Sequence, residues 1–131
     1  MKVVLDTNAL MVPEQFKVEI LSELQRLGYT ECMVPSAVIR ELRNLANCAR
    51  GKDKIAARIG IALAERCKII EMGKESEDAL NTDQSIENLA IQESVAVFTN
   101  DKALKKRLFS KGITVIYLRQ GRYLEATKRE L

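Results

Sequence analysis

The 131-residue chain predicts an α/β fold, a three-layer α/β/α sandwich built on a five-stranded parallel sheet. Three observations lead there. Five short runs rich in β-branched residues recur along the chain, and segments with helical spacing separate them. The runs are also almost continuously apolar, as strands covered on both faces are.

The runs are "KVVLD", "ECMVP", "KIIEM", "VAVFT" and "TVIYL", and each predicts a strand. Between the first two, Phe16, Ile20, Leu24 and Leu27 mark a helix that Gly28 closes. Pro35 and Ser36 open a second helix, with Val38, Leu42, Leu45 and Ala49 as its apolar stripe; Gly51 separates it from a third, carried by Ile55, Ile59, Ala62 and Leu63. The stretch "MGKESEDALN" reads as a polar connection into a fourth helix through Ile86, Leu89 and Ala90. A fifth runs from Asp101 to about Phe109 and stops before Gly112. With no linker or internal repeat, residues 1–131 form a single domain that ends in a basic tail from about residue 119, "RQGRYLEATKREL", whose last residues suit a helix.

A composition of 47% hydrophobic and 30% charged residues excludes disorder and fibrous repeats. No stretch suits a membrane span, and the opening "MKVVLDTNAL" is interrupted by Asp6 with no cleavage site after it, so a cytoplasmic protein without a membrane partner is expected. Cys32, Cys48 and Cys67 are odd in number and widely spaced, which predicts reduced thiols. Histidine is absent, which removes imidazole bases, histidine-dependent triads and histidine metal sites. Chemistry must rest on carboxylates.

The net charge is only +3, but it is unevenly spread. Arg40 to Lys68 holds eight bases and three acids, Glu71 to Glu93 one base and seven acids, and Asp101 to Arg129 nine bases and two acids. Two basic blocks flanking an acidic one suit an anionic polymer.

Open parallel sheets bind ligands beyond the carboxyl ends of their strands, where strand order reverses. Asp6 directly follows the first strand, and Asp101 follows the fourth after one residue. If those strands are neighbours, both carboxylates face one crevice. Glu41 lies about 60° from Val38 on the second helix, and Asp83 is roughly 20° from Ala90 on the fourth, so both can aim inward. Each acid taken alone has an ordinary alternative, as a helix cap, a turn former or a surface ion-pair partner. Together they would repel, since two unit charges ~5 Å apart at an effective dielectric of ~20 cost about 3 kcal/mol. Such a group calls for raised pKa values or a cation, and an all-oxygen donor set suits Mg²⁺ or Mn²⁺ and phosphoryl chemistry.

"VVLDTNAL", "VPSAVIREL", "NTDQSIENLA" and "VFTNDKALKKR" resemble, in order and position, the four acidic motifs of the PIN-domain ribonucleases. The resemblance covers almost the entire chain. It implies an acidic pocket that binds Mg²⁺ or Mn²⁺ and cuts single-stranded RNA with metal-activated water. The family's acids fall on Asp6, Glu41, Asp83 and Asp101, as catalytic and metal-binding residues, with Thr7, Asn8, Thr99 and Asn100 in supporting roles. Arg40, Arg43, Lys52, Lys54, Lys105, Lys106 and Arg107 are the expected contacts to the RNA backbone. The segment "NDKALKKRLFSKGITVIYLRQGRYLE" is similar to the end of PIN proteins of small-subunit ribosomal RNA processing, which implies a ribosomal RNA precursor as substrate. Toxin ribonucleases share the four acids, and membership there implies a small antitoxin partner; a homodimer is expected by analogy. The remaining alternative is a non-catalytic module that binds RNA or assembly factors. A haloacid-dehalogenase-like phosphatase is excluded because Asn8, and no aspartate, stands two residues after Asp6; a response-regulator receiver lacks its acidic pair and its lysine.

Overall fold

The computed structural model describes residues 1–71 and 82–127. Within them the order is β1 (Lys2–Leu5), α1 (Thr7–Phe16), α2 (Ile20–Arg26), β2 (Glu31–Pro35), α3 (Ser36–Cys48), α4 (Lys52–Ala64), β3 (Lys68–Ile70), α5 (Thr82–Glu93), β4 (Ala96–Phe98), α6 (Lys102–Ser110), β5 (Val115–Arg119) and β6 (Tyr123–Ala126). The polar connection "MGKESEDALN" and the expected terminal helix lie outside the described residues, the latter from residue 128 onward.

The strands form one sheet in the order β3-β2-β1-β4-β5-β6. β1 lies between β2 and β4 and runs parallel to both, with Val3 opposite Cys32 on one side and Ala96 on the other. The chain leaves β1 towards one edge and returns on its other side, so strand order reverses between β1 and β4. That is the juxtaposition on which a shared crevice for Asp6 and Asp101 depends. Burial explains the central place of these strands: Val3, Val4, Leu5, Val97 and Phe98 are fully enclosed.

Four features depart from the expectations. The five parallel strands gain a sixth, because β6 pairs antiparallel with β5 where a tail was expected. Gln120 and Gly121 both take positive φ, 55° and 65°, and Arg122 N–H donates to Arg119 O at 3.1 Å. This turn matches the twist of a tight hairpin. Helix α2 then covers the new edge: Leu124 N–H donates to Glu23 Oε1 at 3.0 Å, and Leu124 O accepts from Arg26 Nη2 at 2.7 Å. Edge backbone groups are thereby paired rather than left as a template for another strand.

The first helical region is two helices. α1 starts at Thr7, directly after β1, and ends at Lys17, which takes a left-handed conformation at φ 57°. Pro13 lies inside α1 and hid it from a sequence reading. The lost N–H costs one ladder bond, and burial of Ala9, Leu10, Met11 and Val12 offsets it.

Helix α4 buries its small face. Ala56, Ala57, Gly60 and Ala64 are buried, whereas Ile55 and Ile59, expected inside, are exposed. A Cβ on Gly60 would stand 3.1 Å from Leu10 O and 3.3 Å from Leu42 Cδ2. The close approach of α4 to α1 and α3 therefore selects small side chains over large ones.

Finally, Cys32 and Cys67 form a disulfide with their Cα atoms 5.0 Å apart, in place of the reduced thiols expected. They are 35 residues apart in sequence, but β2 and β3 pair in the sheet, which brings them together. Cys48 remains a free, exposed thiol.

Candidate active site

Asp6 leaves the carboxyl end of β1 as the N-cap of α1, with Oδ1 accepting from Ala9 N–H at 2.7 Å. Its Oδ2 accepts a hydrogen bond from the hydroxyl of Thr99, which follows β4. The β1–β4 pairing makes this contact, since Asp6 N–H donates to Phe98 O at 3.3 Å. Asp6 is 4% exposed. Burial raises its pKa from 3.8 to about 7; the bonds from Thr99 and Ala9 oppose the rise, and Asp83 and Asp101 add to it.

Thr99 also accepts from Asp101 N–H at 3.1 Å, so a single buried hydroxyl ties the first acid to the fourth. Asp101 caps α6, with Oδ1 accepting from Leu104 N–H at 3.0 Å. Both aspartates are therefore helix caps, joined through Thr99. Asp83 lies in the first turn of α5 and is half-buried. Burial pushes its carboxyl above the ordinary value, with Asp101 and Glu41 adding to the rise and Arg107 opposing it. Glu41 is exposed on α3 at the rim, where Oε2 accepts from Thr82 Oγ1 at 2.8 Å.

The four acids thus form one electrostatic group, arranged around Asp83, with Asp6 deepest and Glu41 outermost. Among the described residues no three carboxylates are drawn into a ready metal-ligand group. The buried Thr7 hydroxyl, next to Asp6 in sequence, has no hydrogen-bond partner among the described residues. Asn8 is exposed, and Asn100 turns its Oδ1 away to accept from Leu118 N–H of β5 at 2.8 Å. Asn100 therefore orients the β4–α6 connection.

The expected RNA-binding bases separate. Arg107 Nε lies 3.3 Å from Glu87 Oε2, and Lys111 pairs with Glu87 Oε1. The Glu87 side chain is only 3% exposed, and these two cations compensate its burial. Lys105 lies about 160° from Arg107 around the helix and places Nζ 3.4 Å from the centroid of the Tyr117 ring. Lys106 is exposed between them. Arg40 and Arg43 are exposed on α3, and Lys52 and Lys54 occupy the first turn of α4.

Sequence reasoning missed two partners. Thr82 stands in the same turn as Asp83, and its hydroxyl donates to Glu41. Glu87 follows Asp83 by four residues on the same helical face, a spacing that was legible. A cleft of about 610 Å³ opens at the amino ends of β1 and β4. Of the acids it has only Glu93, and none of the four candidate acids borders it.

Acids coupled to one another at the switch point of a mostly parallel sheet, with every donor an oxygen, make a carboxylate-based candidate site. Residues 3–121 match the model of the PIN-like domain, and the chain belongs to that family. It is 33% identical over 119 residues to "Ribonuclease VapC9" of Archaeoglobus fulgidus, covering 91% of this chain and 84% of the relative. It is also 33% identical over 129 residues to "Ribonuclease VapC4" of Methanocaldococcus jannaschii, covering 95% of each. The fold matches the solved structure of the PIN domain endonuclease Utp24 with a TM-score of 0.75 at 23% identity, over 98% of this chain and 92% of that one. A domain of a functionally unknown protein from Methanocaldococcus jannaschii matches with a TM-score of 0.57 at 20% identity, over 99% and 95%.

Proposed function

We propose that the chain is a divalent-metal-dependent endoribonuclease that hydrolyses phosphodiester bonds of single-stranded RNA. Family membership and the ribonuclease names of the curated relatives support the nuclease class. The observation that carries the site is Asp6, buried at the β1–β4 switch point, bonded by Thr99 and electrostatically coupled to Asp83 and Asp101. A carboxylate in that setting is costly to ionise without a cation nearby.

The donors Asp6, Glu41, Asp83 and Asp101 suit Mg²⁺ or Mn²⁺ by charge and hardness, and Thr7, next to Asp6, adds a buried hydroxyl that is unpaired among the described residues. The carboxylates would draw together to hold the ion. When bound, the ion supplies charge neutralisation and water activation. The chain's own residues do the rest: Thr99 orients Asp6 and the Asp101 backbone together, Thr82 holds Glu41 at the rim, and Arg107 offsets charge at Asp83.

Ribosomal RNA precursor is the proposed substrate in a cytoplasmic setting, supported by the basic carboxyl-terminal segment. The second reading, a toxin ribonuclease with an antitoxin partner, is favoured by the names of the two curated relatives. A small antitoxin-like reading frame beside the gene would favour the second. Cleavage of a labelled single strand in Mn²⁺, Mg²⁺ or chelator tests the chemistry. Asp6→Asn and Asp101→Asn should each abolish metal-dependent cutting; cutting that survives both would overturn the site, and RNA binding without cutting would favour a non-catalytic module.

A further inference from the structure

Two shallow clefts open on the side of α6 that faces the β5–β6 hairpin. One, about 370 Å³, is bordered by Asn8, Phe16 and Asn100 together with Lys102, Lys105 and Tyr117. The other, about 390 Å³, adds Lys106, Phe109 and Thr127 to the same Lys102, Lys105 and Tyr117. Three shared residues join them into one trough. It begins at Asn8 and Asn100, close in sequence to Asp6 and Asp101, and continues past α6 to the end of β6.

The trough is positive, with three lysines and no carboxylate among its bordering residues. It also carries aromatic rings. Phe16 is 47% exposed and Phe109 is 38% exposed. Phe16 lies over Gly121 of the hairpin turn, where a Cβ would stand 3.3 Å from the ring, so the missing side chain leaves room for it. Tyr117 is fixed in β5, with its hydroxyl donating to Glu125 at 3.1 Å. A ring held as Tyr117 is held presents its face at little entropic cost.

We infer that this trough is the path by which an unpaired RNA strand leaves the acidic pocket, with Lys102 and Lys106 on its phosphates and bases stacked on Phe16 and Phe109. The inference rests on the ribonuclease reading and adds a location and a mode of recognition to it. A polymer cut in the pocket must continue beyond it, and acids repel the flanking phosphates while the adjoining lysines attract them. Aromatic faces further select single strands, since bases in a duplex are already stacked on one another. A base that reaches Tyr117 displaces the Lys105 ammonium towards the backbone.

Fluorescence anisotropy of a labelled 12-nucleotide single strand, measured with the full chain in EDTA across a salt series, tests this. The exposed positions let Phe16→Ala/Phe109→Ala and Lys102→Ala/Lys106→Ala fold, which circular dichroism checks. The aromatic pair should lose about 10-fold or more in affinity with an unchanged slope of log K against log salt. The lysine pair should flatten that slope by about 1.4, at roughly 0.7 per phosphate contact. Affinity of the aromatic pair within twofold of the intact chain, or an equal loss for a duplex of the same length, would overturn the trough. Cleavage of the strand by the intact chain in Mn²⁺ is scored separately: binding through the trough without cutting defeats the ribonuclease reading alone, and cutting with unaltered binding by both variants defeats the trough alone.

Discussion

Asp6→Asn should make the protein more stable at neutral pH while removing its activity. The folded carboxyl holds its proton to about pH 7, whereas the unfolded one releases it near 3.8. Across that window the unfolded state binds fewer protons, so stability falls as pH rises from about 4 to 7 and then levels off. The gap corresponds to roughly 4 kcal/mol at 1.36 kcal/mol per pH unit. Asparagine keeps the shape and still accepts from Ala9 N–H, but its amide nitrogen cannot accept from Thr99, a loss of about 1 kcal/mol. The net expectation is a variant about 2–3 kcal/mol more stable at pH 8 and slightly less stable near pH 4. Urea unfolding of both proteins from pH 4 to 8 in chelator measures this. A stability difference that does not change with pH, or a variant less stable at pH 8, would refute the burial argument. Excess Mn²⁺ at pH 8 should then raise the stability of the unsubstituted protein and leave the variant unmoved, because an ion that binds only the folded state stabilises by mass action.

Arg107→Ala should cost about 1–3 kcal/mol in urea unfolding by leaving the buried Glu87 with Lys111 alone, and the Arg107→Ala/Lys111→Ala double variant should lose more than the sum of the single variants. Gly60→Ala should cost about 1–3 kcal/mol by forcing α4 away from α1, read as a lower denaturation midpoint. Thiol titration in denaturant without reductant should find Cys48 alone, and Cys32→Ala should cost about 3–4 kcal/mol for a closed loop of this length; three titrating thiols would contradict the pairing.

Much of the framework was legible because it follows local periodicity. Five apolar runs became β1 to β5, and the acids that follow the first and fourth runs came to the one position where strand order reverses. The helix-cap alternative for Asp101 also holds, beside its link to Asp6 through Thr99. Illegible features share a cause: each depends on what lies across a contact. α1 was hidden by Pro13, whose local signal opposes a helix that tertiary burial stabilises. α4 turns its alanines and Gly60 inward because α1 and α3 come so close, which a count of large apolar residues reverses. β6 looked like a basic tail because its partner strand and its covering residues, Glu23 and Arg26, lie elsewhere in the chain.

The amino-acid sequence by itself determined the fold class and the family and singled out four acids as candidates, since these are carried by residue type, order and short-range spacing. Tertiary structure alone decided their inequality. Asp6 is deeply buried and bonded to Thr99, Asp83 is half-buried, and Glu41 is exposed at the rim beside Thr82. It also split one run of bases three ways, with Arg107 on Glu87, Lys105 over Tyr117 and Lys106 exposed. The physical reason is that desolvation and charge pairing depend on distances between residues far apart in the chain, and spacing along the sequence does not contain them.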